Sequence, residues 1–196
     1  MRIVLGSSSK WRRELAAKYF DADIELMSPD IDEKDPRLRP EGISPSSLTA
    51  AISRAKLDDL LKRIEGEAVV MCFDTVTVHS GRILEKPVSN DQGLEMIESW
   101  STSGSILTVW TSIAVGNKAT GEVLQRSLSA DVVMDKTFTK ADIKEYLKDK
   151  YCMQSSGALI VEKLLEMSAA HVDGSQSVIE GFPVPDVVEM VNKVSK

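Results

Sequence analysis

A chain of 196 residues with 42% hydrophobic side chains can bury a sizeable core and lies in the size range of one domain, so a single domain over residues 1–196 is expected. Its 30 acidic against 24 basic side chains leave a net charge of −6, which works against general attraction to nucleic acid polymers or anionic lipid, so a phosphate site has to be built locally. The longest apolar runs, Ala68 to Phe73 and Ser112 to Val115, fall far short of the roughly 20 residues a bilayer span needs. Met1 to Leu5 lead straight into a serine cluster without a secretory h-region, so a cytoplasmic protein without a membrane partner is expected.

Arg2 to Leu5 is a short β-branched run that breaks at Gly6-Ser7-Ser8-Ser9, and Trp11 to Phe20 then carries apolar positions at Trp11, Leu15 and Tyr19, giving strand, polar turn and helix. Asp30 to Ser47, with three prolines among mixed charges, reads as a surface loop. Leu48 to Ile64 returns to helical spacing, with Leu48, Ala51, Ile52, Ala55 and Leu60 facing the core. The apolar run Ala68 to Phe73, the alternation in Thr75 to Val78 and the turn at Ser80-Gly81 predict two strands. Asp91 to Trp100 reads as helix, and Ile106 to Val115 with Glu122 to Met134 reads as a long antiparallel hairpin. Thr139 caps a helix over Lys140 to Lys148 with Asp142 three positions on. Ala158 to Val161 reads as a last strand, and Asp186 to Val194 as a closing helix after the stop at Phe182 to Pro185.

A strand that ends in Gly6-Ser7-Ser8-Ser9 at a helix start offers backbone N–H groups and the positive end of a helix dipole to an anion, with Lys10, Arg12 and Arg13 beside it. A serine that merely caps the helix, with solvated arginines, fits the same segment equally well. Asp74 is more telling, because it stands between Val69-Val70-Met71-Cys72-Phe73 and Thr75-Val76-Thr77-Val78, where a bare carboxylate would be desolvated. Its partner is a metal ion, Lys86 returning past the Ser80-Gly81 turn, or a turn N–H; the plain alternative is an acidic residue that ends a strand. Glu33 in Asp30-Ile31-Asp32-Glu33 and Arg54 on its helix read most simply as solvated charge. Two cysteines and two histidines are too few and too scattered for zinc, so any metal is expected on oxygen ligands.

Taken in order, these segments resemble the Maf family of nucleotide pyrophosphatases over nearly the whole chain. The family opening L-A-S-x-S-P-W-R-R is similar to Leu5-Gly6-Ser7-Ser8-Ser9-Lys10-Trp11-Arg12-Arg13, and its V-D/E-E to Ile31-Asp32-Glu33. Its A-x-x-K-A looks like Ala51-Ile52-Ser53-Arg54-Ala55, its D-T like Asp74-Thr75, and its G-K-P like Glu85-Lys86-Pro87. The Y-G-I-Q-G-x-G-A motif is similar to Tyr151 through Ala158, and S-V-x-G-L-P to Ser177 through Pro183. Lys10, Arg54 and Glu85 depart from the pattern.

The resemblance implies an elongated α/β domain with a curved mixed β-sheet, flanking helices and a deep cleft between two lobes, often paired as a homodimer. It implies a pyrophosphatase acting between the α and β phosphates of a nucleoside triphosphate, with Mg²⁺ or Mn²⁺ held by Glu33 and Asp74. Asp74 would be the general base, with Glu33 and Lys86 the other catalytic residues. Ser7, Ser9, Arg12, Arg13 and Arg54 would bind phosphate, and Trp11, Thr75 and Gln154 would select the base. At those three positions the branch acting on dTTP and UTP has arginine, threonine and glutamine, and the 7-methyl-GTP branch has tryptophan, glutamine and glutamate. Two of the three matches favour dTTP and UTP. An inosine triphosphate-type pyrophosphatase and a nucleotide-binding protein without turnover are the rival readings.

Overall fold

The computed structural model describes residues 2–7, 9–20 and 22–196, with Lys10, Trp11 and Asp23 described in their backbone alone. In chain order the elements are β1 (Arg2–Gly6), α1 (Lys10–Tyr19), β2 (Asp23–Leu26), α2 (Pro45–Arg63), β3 (Val69–His79), β4 (Arg82–Leu84), α3 (Asn90–Trp100), β5 (Ile106–Asn117), β6 (Val123–Met134), α4 (Lys140–Tyr146), α5 (Val161–Glu166), β7 (Ala170–Asp173), α6 (Gln176–Ile179) and α7 (Val184–Val194). Two single turns of 3₁₀-helix, Cys152–Gln154 and Ser156–Ala158, lie between α4 and α5. The strands follow the order β2-β1-β3-β5-β6-β7, with β4 added on β3. This is an α/β architecture with a mixed open sheet and flanking helices, as expected.

The chain divides into two compact units, one of Met1–Asp74, Thr111–Leu128 and Gly181–Lys196, the other of Thr75–Trp110 and Ser129–Glu180. In the first, β1 pairs in parallel with both β2 and β3, which places Gly6 opposite Cys72. The run Val69 to Phe73 is apolar throughout because both faces of this sheet are covered. Ile3, Leu5, Val69, Met71 and Phe73 point to one side, against Ala16 and Phe20 of the α1 segment and Val187, Met190 and Val191 of α7. Val4, Val70 and Cys72 point to the other, against Leu57 and Leu60 of α2. Strand alternation then fixes the next residue, and Asp74 falls on the α2 side.

In the second unit, β3 and β4 form the antiparallel pair expected around Ser80-Gly81, with Thr77 opposite Leu84. The aromatic side chains of Trp100, Phe138 and Tyr146 form its centre, Trp100 and Tyr146 edge to face with ring centroids 5.7 Å apart. The Thr139–Asp142 capping box is present as read, each residue's side chain meeting the other's backbone.

Three readings change. The expected strand Ala158 to Val161 is the end of a 3₁₀ turn followed by α5, because Gly157 and Ala158 both adopt positive φ, 67° and 54°, which no strand accommodates. β2 and β7, four residues each, carried no apolar alternation strong enough to be read. In α2 the buried stripe runs through Thr49, Ile52, Ser53, Leu57 and Leu60, leaving Ala51 and Ala55 half-buried.

Candidate active site

The parallel register sets Gly6, the last residue of β1, opposite Cys72, so the turn after Gly6 leaves at the level of Phe73 and Asp74 while β3 itself runs on to His79. Carboxyl ends of adjacent parallel strands are where open α/β sheets bind ligands. Ser7 is buried, and its hydroxyl accepts the Ser9 N–H at 3.1 Å. Ser9 is the N-cap of α1, its hydroxyl accepting the Arg12 N–H at 3.4 Å. The serines therefore do shape the helix start, and the same arrangement leaves α1 directed with its positive end at this edge. One turn into α1, Arg12 donates through Nε to the Gly181 carbonyl at 2.9 Å and lies over the Phe73 ring at 5.2 Å. Burial lowers the pKa of its guanidinium, with the negative charge of Asp74 acting in the opposite sense. Arg13, the next residue, is exposed.

Asp74 is 7% exposed and has a partner that the sequence reading did not name. Lys56 Nζ stands 2.9 Å from Asp74 Oδ1 and 2.9 Å from Glu33 Oε1, and donates to the Phe73 carbonyl at 3.3 Å. One ammonium thus gathers the loop carboxylate and the strand carboxylate into a single cluster. Arg54, the residue matched to the family lysine, lies on the exposed face of α2 and pairs with Asp58 at 2.8 Å. Residues two apart on a helix face nearly opposite sides, so only one of Arg54 and Lys56 can reach the sheet. The signal for Lys56 was its place in the stripe Ser53, Lys56, Leu57, Leu60, the i, i+3, i+4, i+7 positions of the buried face.

Burial pushes the Asp74 carboxyl above the ordinary aspartate range; Lys56 opposes that shift, Glu33 adds to it, and Arg12 opposes it. A carboxylate whose burial raises its proton affinity, and whose ionised form is favoured by an adjacent cation, is suited to taking a proton. Cys72, two residues before on the same face, is a buried thiol pushed up to about 12 by burial and is chemically inert.

Among the described residues, no three His, Cys, Asp or Glu side chains gather as a metal cluster. Glu33 and Asp74 nevertheless present hard carboxylate oxygens to one point already occupied by a positive charge. Mg²⁺ is commonly held by one or two carboxylates together with substrate phosphates and water, and this pair fits that demand.

Thr75, Lys86 and Gln154 belong to the second unit. Thr75 is half-buried on β3, and Lys86 and Gln154 are exposed. Their segments are tied together by the backbone: Gly157 donates its N–H to the Glu85 carbonyl at 2.9 Å, and Ser156 Oγ accepts the Thr77 N–H at 2.8 Å. Gly93 of α3 lies against both Pro87 and Met153, where an added Cβ would fall 2.6 Å from Met153 Sδ. Lys86-Pro87 and Met153-Gln154 therefore stand on the same side of α3. The Trp11 side chain, read as a base-stacking surface, lies outside the described residues.

Two carboxylates around one cation, with a half-buried arginine near the carboxyl end of the parallel strand β1, suit a phosphate-anhydride hydrolase. The Maf-like protein family matches residues 2–194, and the chain belongs to it. It is 30% identical over 99% of its length to a 7-methyl-GTP pyrophosphatase of Dictyostelium discoideum, covering 98% of that protein. It is 25% identical to a dTTP/UTP pyrophosphatase of Clostridium novyi, over 94% of this chain and 93% of that one. A dTTP/UTP pyrophosphatase of Photorhabdus laumondii is 28% identical, over 97% and 93% of the two chains. The expected family and the expected class of activity, nucleoside triphosphate pyrophosphatase, agree with these relatives.

Proposed function

We propose that the chain hydrolyses a pyrimidine nucleoside triphosphate, dTTP or UTP, at the α–β anhydride, releasing nucleoside monophosphate and pyrophosphate. The observation that carries this reading is the Lys56 ammonium shared between the buried Asp74 and the exposed loop residue Glu33, with the Arg12 charge acting on Asp74 as well. Asp74 takes the proton of the attacking water as its oxygen bonds to phosphorus and the anhydride bond breaks, the electron pair leaving with pyrophosphate. Lys56 keeps Asp74 ionised before attack. Arg12 and Lys86 are assigned to neutralising phosphate charge, Ser7 and Ser9 with the α1 N-terminus to holding phosphate oxygens, and Arg13 and Arg54 to longer-range attraction. Glu33 and Asp74 would hold Mg²⁺ or Mn²⁺, which supplies Lewis-acid polarisation of the phosphate when bound. Thr75 and Gln154 are assigned to the base, where the neutral Gln154 amide offers both donor and acceptor to a pyrimidine edge. The second reading, 7-methyl-GTP, is favoured by the Dictyostelium relative and by Trp11, whose ring would stack well on a cationic base.

Purified protein with Mg²⁺ or Mn²⁺ is expected to release pyrophosphate, and excess EDTA to abolish turnover. Asp74→Asn is expected to lower kcat by at least about 10²-fold while keeping the fold. Orthophosphate as the main product, full turnover in EDTA, or a fully active Asp74→Asn protein would each overturn the reading. Competition between UTP, dTTP and 7-methyl-GTP decides the base, and a preference for 7-methyl-GTP selects the second reading.

A further inference from the structure

The segment from Cys152 to Ile160 carries Gln154, yet most of its anchoring comes from side chains to which the mechanism assigns nothing. Gly157 and Ala158 are consecutive left-handed residues, φ 67° and 54°. The second is strained, since a Cβ disfavours that region. Both of their carbonyls are taken by buried aromatic donors. Trp100 Nε1 donates to the Gly157 carbonyl at 3.0 Å, and the Tyr146 hydroxyl donates to the Ala158 carbonyl at 2.9 Å while accepting the Ile160 N–H at 2.6 Å. Trp100 and Tyr146 are fully buried, Trp100 packing edge to face on both Tyr146 and Phe138 and Tyr146 lying tilted against Phe138, which restricts both donors. Burial raises the Tyr146 phenol well above its ordinary value, so its proton stays in place. One residue earlier, Thr77 Oγ1 donates to the Ser156 carbonyl at 3.0 Å. Three successive carbonyls, of Ser156, Gly157 and Ala158, are thus each held by a side-chain donor.

We propose that Trp100 and Tyr146 are positioning residues for Gln154, and that the base selectivity of the site passes through their two polar hydrogens. This rests on the assignment of Gln154 to base recognition. Without the indole and phenol donors, the left-handed backbone of Ala158 loses the two bonds that hold its flanking carbonyls, and relaxation of that peptide turns the chain that carries Gln154, two residues beyond Ser156 towards the N-terminus. Neither ring touches substrate in this scheme; each acts on the base through the backbone of one short segment.

The test is Tyr146→Phe, which removes the hydroxyl and keeps the ring in the aromatic trio, with Trp100→Phe as the check on the other donor. A native near-ultraviolet spectrum and urea transition establish that each variant is folded. In Tyr146→Phe, KM for the preferred nucleotide is expected to rise about tenfold with kcat within about threefold, the effect of a lost hydrogen bond on binding geometry. The ratio of kcat/KM between UTP and 7-methyl-GTP is expected to move toward unity by a similar factor, and Gln154→Ala is expected to add little in the Tyr146→Phe background. Amide exchange at 154–158 is expected to quicken while that of Val69–Phe73 is unchanged. A folded Tyr146→Phe protein with wild-type base ratio, or full additivity with Gln154→Ala, overturns the proposal. Failure of the wild type to hydrolyse any nucleoside triphosphate overturns the functional reading instead. In that event the exchange data alone decide the clamp, and unchanged exchange in the variant rejects it.

Discussion

Lys56 and Arg54 stand two residues apart on α2, carry the same charge and make contacts of opposite value. Arg54 and its partner Asp58 are both nearly half-exposed, and such i, i+4 pairs contribute little. The Lys56 side chain is 12% exposed and neutralises a carboxylate side chain that is 10% exposed, so removing it leaves a buried charge without its bonded partner and with only the weaker influence of Arg12. Lys56→Met is therefore expected to lower stability by about 3 kcal/mol and turnover by about 10²-fold, whereas Arg54→Met should stay within about 0.5 kcal/mol of wild type. Urea denaturation and steady-state kinetics on both variants check this, and equal effects of the two would show that the cluster at Asp74 does not depend on Lys56. The contrast also marks how far the sequence carries at this scale. Asp74 was legible because a carboxylate inside an apolar run has to have a reason. Its partner was not, because the motif pattern was satisfied two positions early by Arg54, and only the burial stripe of the helix separates one cation from the other.

Elements with a strong period were legible: β1 between buried faces, α1 and α3 with their serine caps, and α7 with valine and methionine at helical spacing. What escaped were elements whose conformation is imposed from elsewhere, the 3₁₀ turn Ser156–Ala158 held by Trp100 and Tyr146, and the short β2 and β7, which exist by pairing with β1 and β6. One packing detail between elements explains a departure from the family pattern, the glycine at position 6 where L-A-S has alanine. A Cβ on Gly6 would fall 2.3 Å from Cys72 Sγ and 2.7 Å from Leu60 Cδ1, both deep in the core. Gly6→Ala is expected to destabilise by about 1–3 kcal/mol, the usual range for overpacking. Cys72→Ala in the same chain opens the space, so the double variant should be more stable than the sum of the two single effects by at least about 0.5 kcal/mol. Strict additivity would mean that Leu60, and not Cys72, sets the limit at Gly6.

At the scale of the whole molecule, falling pH protonates carboxylates and so removes their pairing with cations, and the fastening of α7 shows where that loss bears. Arg126 of β6 pairs with Asp186 and with Glu189, the latter at 3.0 Å, and Lys193 adds a second cation 2.7 Å from Glu189. These contacts hold the last helix to the strand while its apolar side, Val187, Met190, Val191 and Val194, joins the core that contains Phe73. Hydrogen bonds from Arg126 and then Lys193 bring the Glu189 carboxyl down to about 2, from an ordinary value of 4.5. A depressed carboxyl favours the folded state above its unfolded value, and that contribution is lost as pH falls from 4.5 through about 2. The exposed position and the screening of surface charge by salt keep the effect small, so it is best read as a difference between two proteins. Arg126→Met is expected to lower Tm at pH 7 in low salt, and its deficit relative to wild type should narrow below pH 4.5 and be largely gone near pH 2, as the Glu189 carboxylate takes up its proton. Thermal unfolding followed by circular dichroism across that range measures it. A deficit that stays constant with pH would assign the role of Arg126 to the packing of its methylene stem against α7, with its charge contributing nothing.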